Sequence, residues 1–153
     1  MKKIIIKSIK IVLFTTIYSA NSLSNAKEPN EFTGHWSPDC EVLQGFQIIS
    51  RKAAELEVNS NQIYIKTKLS TEKNDTAVYF DDVLDLGSGG RQLDWKNFSK
   101  DKAIGKIKNW SDKEFIFEWI GFYNKKNSTT YWKENPDFFQ KGKINFYKCP
   151  DQP

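Results

Sequence analysis

Apolar and polar residues alternate with a period of two along most of this chain, turn-forming clusters recur at short intervals, and no long segment follows the helical period of 3.6. These observations predict an all-β domain, a single small antiparallel barrel or sandwich of about eight short strands. Two cysteines, Cys40 near the start and Cys149 near the end, add one disulfide to that expectation.

The first 26 residues stand apart. Lys2, Lys3, Lys7 and Lys10 surround an isoleucine run, residues 11–18 are apolar, and Ser24-Asn25-Ala26 supplies small residues. This is the layout of a cleavable signal peptide, with cleavage expected after Ala26 and Ala20 as the weaker alternative. The apolar run is too short for a membrane span of roughly 20 residues, so no stable span is expected after cleavage. The leader predicts a periplasmic or secreted protein, and its style is bacterial. It also holds four of the 23 basic residues and none of the 19 acids, so residues 27–153 carry equal numbers of each sign. That balance removes the global positive field expected of a nucleic-acid partner. Residues 27–153 suit one domain, with a core large enough to fold alone.

The elements follow in order. Phe32-Thr33-Gly34-His35-Trp36 forms the first strand, and 46–49 and 54–58 are short runs rich in apolar residues. The clearest strand is 62–69, where Ile63, Ile65, Thr67 and Leu69 alternate with Tyr64, Lys66 and Lys68. Paired as a hairpin with 78–84 across the loop 70–76, it sets Lys66 and Lys68 against Asp81 and Asp85 as cross-strand ion pairs. Alternation that places Val78, Phe80, Leu84 and Leu86 inside also places Asp82 inside. A buried carboxylate must be partnered, protonated or turned outward by a bulge. Asp82 is therefore expected either at a bulge or as a charge on the floor of a ligand cavity.

Gly87-Ser88-Gly89-Gly90 reads as a hairpin turn, because no lysine or helix pattern follows it for phosphate binding. Residues 94–102 can hold a helical turn, and 103–110 is a further strand. The run 115–123 places Phe115, Phe117 and Trp119 on one face and Ile116, Ile120 and Phe122 on the other, as in a central core strand. The strand 129–132, a helical turn over 133–141 and the strand 144–149 complete the chain. Tyr131, Trp132, Phe138 and Phe139 bracket a polar loop containing Asn135-Pro136-Asp137, an arrangement that suits a protein-contact surface or a cavity rim.

Catalytic and metal signatures are sparse. His35 is the single histidine, no serine lies in a G-x-S-x-G elbow, and two distant thiols with one histidine do not make a zinc site. Asp81, Asp82 and Glu118 are the carboxylates that could converge for glycoside cleavage. Sequons at Asn74, Asn97 and Asn127 read as incidental beside a bacterial leader. No cofactor, metal or catalytic residue is assigned.

Gly34-x-Trp36, in the first strand after the leader, resembles the glycine-x-tryptophan signature of lipocalins and related small barrels. The resemblance implies an up-and-down barrel with an interior that holds a small apolar ligand or is filled by its own aromatic side chains. Two readings of function follow. The favoured one is an exported, non-enzymatic binding protein, an inhibitor or immunity-type factor with a protein target in the bacterial envelope. The other is a lipocalin-like carrier of a small hydrophobic ligand.

Overall fold

The computed structural model describes residues 31–41, 44–59, 63–131 and 143–150. The expected signal peptide and the expected helical turn at 133–141 lie outside them. Eight strands close into an antiparallel barrel: β1 (Gly34–Ser37), β2 (Phe46–Ser50), β3 (Ala53–Asn59), β4 (Ile63–Glu72), β5 (Asp75–Leu86), β6 (Ala103–Lys108), β7 (Glu114–Trp119) and β10 (Lys143–Lys148). Between β7 and β10, β8 (Phe122–Asn124) and β9 (Thr129–Tyr131) form a separate two-stranded sheet. Each barrel strand from β1 to β7 pairs with its neighbour in sequence, and β10 lies between β7 and β1. This is the up-and-down order that Gly34-x-Trp36 suggests.

Closure depends on a short seam. β1 meets β10 at only two register positions, Trp36 with Lys148 and Ser37 with Tyr147. Two features reinforce it: the amide of Cys149 donates to the His35 carbonyl at 2.9 Å, and Cys149 is disulfide-bonded to Cys40 across 109 residues of chain. The expected disulfide is present.

The β4–β5 hairpin is longer than the sequence suggests. Pairing runs to Glu72 and Asp75, so the connection is the two residues Lys73 and Asn74 rather than a loop over 70–76. The register also slips twice, once beside Lys66 and once beside Tyr64, leaving Asp81 and Leu84 as extra residues on β5. Each slip moves the following side chains to the opposite face. Val83 consequently pairs with Ile65 and turns inward, while Asp82 and Leu84 are exposed. Strict alternation is thereby corrected at Leu84, and Asp82 stands at a bulge.

Two further corrections concern connections. Gly87-Ser88-Gly89-Gly90 is not a hairpin turn; a single helical turn, Ser88–Arg91, begins a long crossing that continues through a 3₁₀ turn at Trp95–Asn97. The run 115–123 is not one two-faced strand. It breaks at Ile120 and Gly121, where the glycine has φ +99°, so Ile120 is exposed while Phe122 returns to the interior. Both Ile120 and Gly121 donate their amides to the Ile104 carbonyl, which fixes the bend against β6.

The interior is aromatic from one end to the other. Consecutive ring contacts, with centroids 4.9 to 6.4 Å apart, run from Phe32 through Trp110, Trp36, Phe115, Phe46, Phe117, Trp119, Phe122 and Phe98 to Tyr131. These separations are those of favourable edge-on and tilted pairs. Trp36, at 0% exposure, donates its indole N–H to the Phe32 carbonyl at 3.0 Å. At the other end the β5–β6 crossing folds Phe98 down as a lid. Ser99 donates to the Tyr123 carbonyl, Lys125 donates to the Asn97 carbonyl, and Trp95 anchors its indole N–H on the Gly90 carbonyl.

Candidate functional site

The outward faces of β4 and β5 carry a shallow groove of 600 Å³. Alternation on β4 turns Lys68 and Ser70 to the outside, and the register sets Lys68 opposite Tyr79 of β5. The β2–β3 turn brings Lys52 to one wall, fixed there because its carbonyl accepts the Leu69 amide at 2.9 Å. Lys100 and Asp101 form the opposite wall, where the lid crossing enters β6. The result is a floor of the Tyr79 ring and lysine stems beneath three ammonium groups. Lysine is suited to this, because its stem covers apolar surface while its charge stays in water.

Asp81 sets the electrostatics. Its carboxylate meets Lys68 Nζ at 2.6 Å and Lys100 Nζ at 3.9 Å. The hydrogen bond from Lys68 is the largest influence, with the charges of Lys68, Lys100 and Lys66 adding to it, and together they hold the carboxyl below its ordinary range against a smaller opposing effect of burial. One carboxylate is thus shared by two lysines, and Lys52 has no ion pair among the described residues. A positive balance remains across the groove. Lys66 and Lys106 also face outward but stand in register with acids, Glu55 and Asp82 beside Lys66 and Glu118 beside Lys106.

Glu118, two strands away on β7, is held separately by Lys108 at 2.7 Å. That hydrogen bond, followed by the charges of Lys108, Lys143 and Lys106, lowers its carboxyl as well. A general acid for glycoside cleavage needs a raised carboxyl, and both of these are shifted the other way. Asp82 is exposed, its carboxylate accepting the Val83 amide at 2.9 Å, and so does not floor a cavity. His35 lies on β1, and its Nε2 is buried without a hydrogen-bond partner. Among the described residues no group of three or more His, Cys, Asp or Glu is placed to hold a metal ion, and no helix is long and apolar enough to cross a membrane.

Of the residues singled out from sequence for binding, Tyr131 lies on β9 with 37% exposure, its ring 5.9 Å from Phe98 and its hydroxyl accepting from Asn127 Nδ2 at 3.1 Å. It belongs to the lid end. Trp132, Phe138 and Phe139 lie outside the described residues. Tyr131 and Asp82 make no direct hydrogen bond, ion pair or ring contact with each other. The groove residues were read in the sequence only as strand alternation and ion pairing. Lys52, Tyr79 and Lys100 come from three separate segments, and no local pattern marks them as neighbours.

Comparison with known proteins gives no significant match to a family model, a curated protein or a solved structure. The resemblance to lipocalin-like barrels rests on Gly34-x-Trp36 alone.

Proposed function

We propose that this chain is an exported, non-enzymatic binding protein that engages a protein target in the bacterial envelope as an inhibitor or immunity-type factor. Its contact surface in this reading is the lysine-rimmed groove across β4 and β5, and the segment it receives is acidic. The observation that carries the reading is the contrast between inside and outside. The axis is occupied by a continuous column of rings, which takes up the space a carrier would leave for a small apolar ligand. The outer wall, by contrast, offers an apolar floor with a charged rim, the anatomy of a protein contact. The disulfide agrees with an oxidising compartment.

The test is native mass spectrometry of the protein isolated gently from its own envelope, followed by binding measurements on the captured partner. A co-purifying protein whose affinity falls about tenfold or more for Lys52→Glu and Tyr79→Ala supports the proposal, a size of effect typical of interface anchors. A co-purifying mass of a few hundred daltons, with no protein partner, would make the barrel a carrier instead.

A further inference from the structure

Apart from the groove, the molecule carries a second and better enclosed site. At the end of the barrel where Trp36 lies, the chain entering β1 and three hairpin connections converge on a pocket of 420 Å³. That volume is within the range of small-molecule sites. Phe32 precedes β1, Arg51 sits in the β2–β3 turn, Lys73 and Asn74 are the β4–β5 turn, and Asn109 and Trp110 follow β6. No carboxylate lines it.

Of the pocket's polar groups, the Thr71 and Thr76 hydroxyls satisfy each other at 2.9 Å, and the others keep most of their hydrogen-bonding capacity. Arg51 is held with its guanidinium carbon 4.2 Å above the centre of the Phe32 ring, and Phe32 in turn packs edge-on against Trp110 at 5.1 Å. Its ion-pair partner Glu31 is 3.5 Å away, and both side chains are more than half exposed, so this pair leaves most of the guanidinium donors free. Lys73 has no ion pair, and the side-chain amides of Asn74 and Asn109 make no hydrogen bond among the described residues. The Trp110 indole N–H is buried without an acceptor. Lys73 and Asn109 both hold left-handed backbone, with φ +56° and +52°. For asparagine that conformation is common; for lysine it is not. A lysine at this turn therefore sets a charge at the pocket mouth where glycine or asparagine would relax the backbone.

From this set we infer that the pocket binds a small hydroxylated anion of the kind represented by a sugar phosphate or a uronic acid. Arg51 supplies a planar fork for the carboxylate or phosphate, and Lys73 supplies a second, mobile charge. Asn74 and Asn109 each offer a donor and an acceptor, as hydroxyl groups require. The Trp110 ring gives the apolar face of a sugar a surface to rest on. The site shares no lining residue with the groove across β4 and β5, so the inference is independent of the proposed protein contact.

The test is titration of the disulfide-bonded protein with glucose 1-phosphate and with glucuronate, followed by tryptophan fluorescence and calorimetry, with glucose and inorganic phosphate as controls. We expect saturable binding of at least one anionic sugar, about tenfold or more tighter than either control. Lys73→Ala and Arg51→Ala should each weaken it about tenfold while circular dichroism stays unchanged, and Asn74→Ala, an exposed turn residue, should weaken it without altering the melting temperature. Lys126→Ala, an exposed residue of the β8–β9 turn at the other end of the barrel, should leave it intact. Three results would overturn the inference: no saturation by either anionic sugar up to about 10 mM, equal binding of inorganic phosphate, or unchanged binding in folded Lys73→Ala and Arg51→Ala.

Discussion

Gly105 shows how narrowly the interior is fitted. It faces inward on β6 between Val78 of β5 and Trp119 of β7, and a Cβ built there would stand 2.5 Å from the Phe117 ring. The column of rings passes through Phe117, so the absent side chain is what admits it. Gly105→Val should therefore lower the melting temperature by several degrees, equivalent to a cost of about 1–3 kcal/mol from overpacking. An unchanged melting temperature would mean that the Phe117 ring moves aside freely. At this scale the sequence announced Trp36 through its glycine partner but did not announce Gly105. Nothing within a few residues reveals that a phenylalanine on another strand needs the space. Asp82 was more legible: a carboxylate on an inward position of the alternation pointed to a bulge, and the extra residue Asp81 supplies it, although the second slip at Leu84 left no such mark.

Among the elements, the β1–β10 seam is the least extended pairing of the barrel, and the disulfide bridges it. Removing the bridge as Cys40→Ser/Cys149→Ser frees a loop of 109 residues in the unfolded chain. The chain-entropy model then gives a loss of about 4–5 kcal/mol. Chemical denaturation of the double variant should show that loss, and if the midpoint scarcely moves, the seam is held by its strands alone. The strands themselves were legible because period-two alternation depends only on near neighbours; β2, β3, β4, β6 and β10 fall close to where it puts them. The crossing from β5 to β6 was not, since Trp95 and Phe98 are recruited to the lid by Phe122 and Tyr123, distant residues that no local period connects. The Gly87–Gly90 cluster looked like a tight turn for the same reason.

For the molecule as a whole, the charge arrangement fixes how stability responds to pH. Asp81 and Glu118 hold their protons less tightly folded than unfolded, so each contributes stability that is present above the ordinary carboxylate range, near pH 4, and is lost as pH falls through the folded value. At the alkaline end the signs reverse. Tyr64 is raised, chiefly by burial and then by donating to Glu55, and Lys108 is raised by its hydrogen bond to Glu118. Both contribute stability that is present below about pH 10 and lost as pH rises further. Melting temperature against pH should thus show a broad plateau with two falling limbs. Asp81→Asn should flatten the acid limb only, whereas Glu118→Gln, which also removes the partner that raises Lys108, should flatten both limbs; an acid limb unchanged in Asp81→Asn would assign those shifts wrongly. The two surface sites lay beyond sequence reasoning. Each is assembled from turns and strand faces whose proximity exists only after the barrel closes.

The position of β10 between β7 and β1 also has a meaning in time. Strands β1 to β7 find their partners in the order in which they are synthesised, and the first edge of β1 alone waits for a strand more than 100 residues later. The oldest part of the chain is the last to be enclosed. During that interval Cys40 has no second cysteine to meet within its own molecule, because the chain contains only two. Oxidation within the chain therefore cannot lock a wrong arrangement, and the disulfide records that the final strand has arrived.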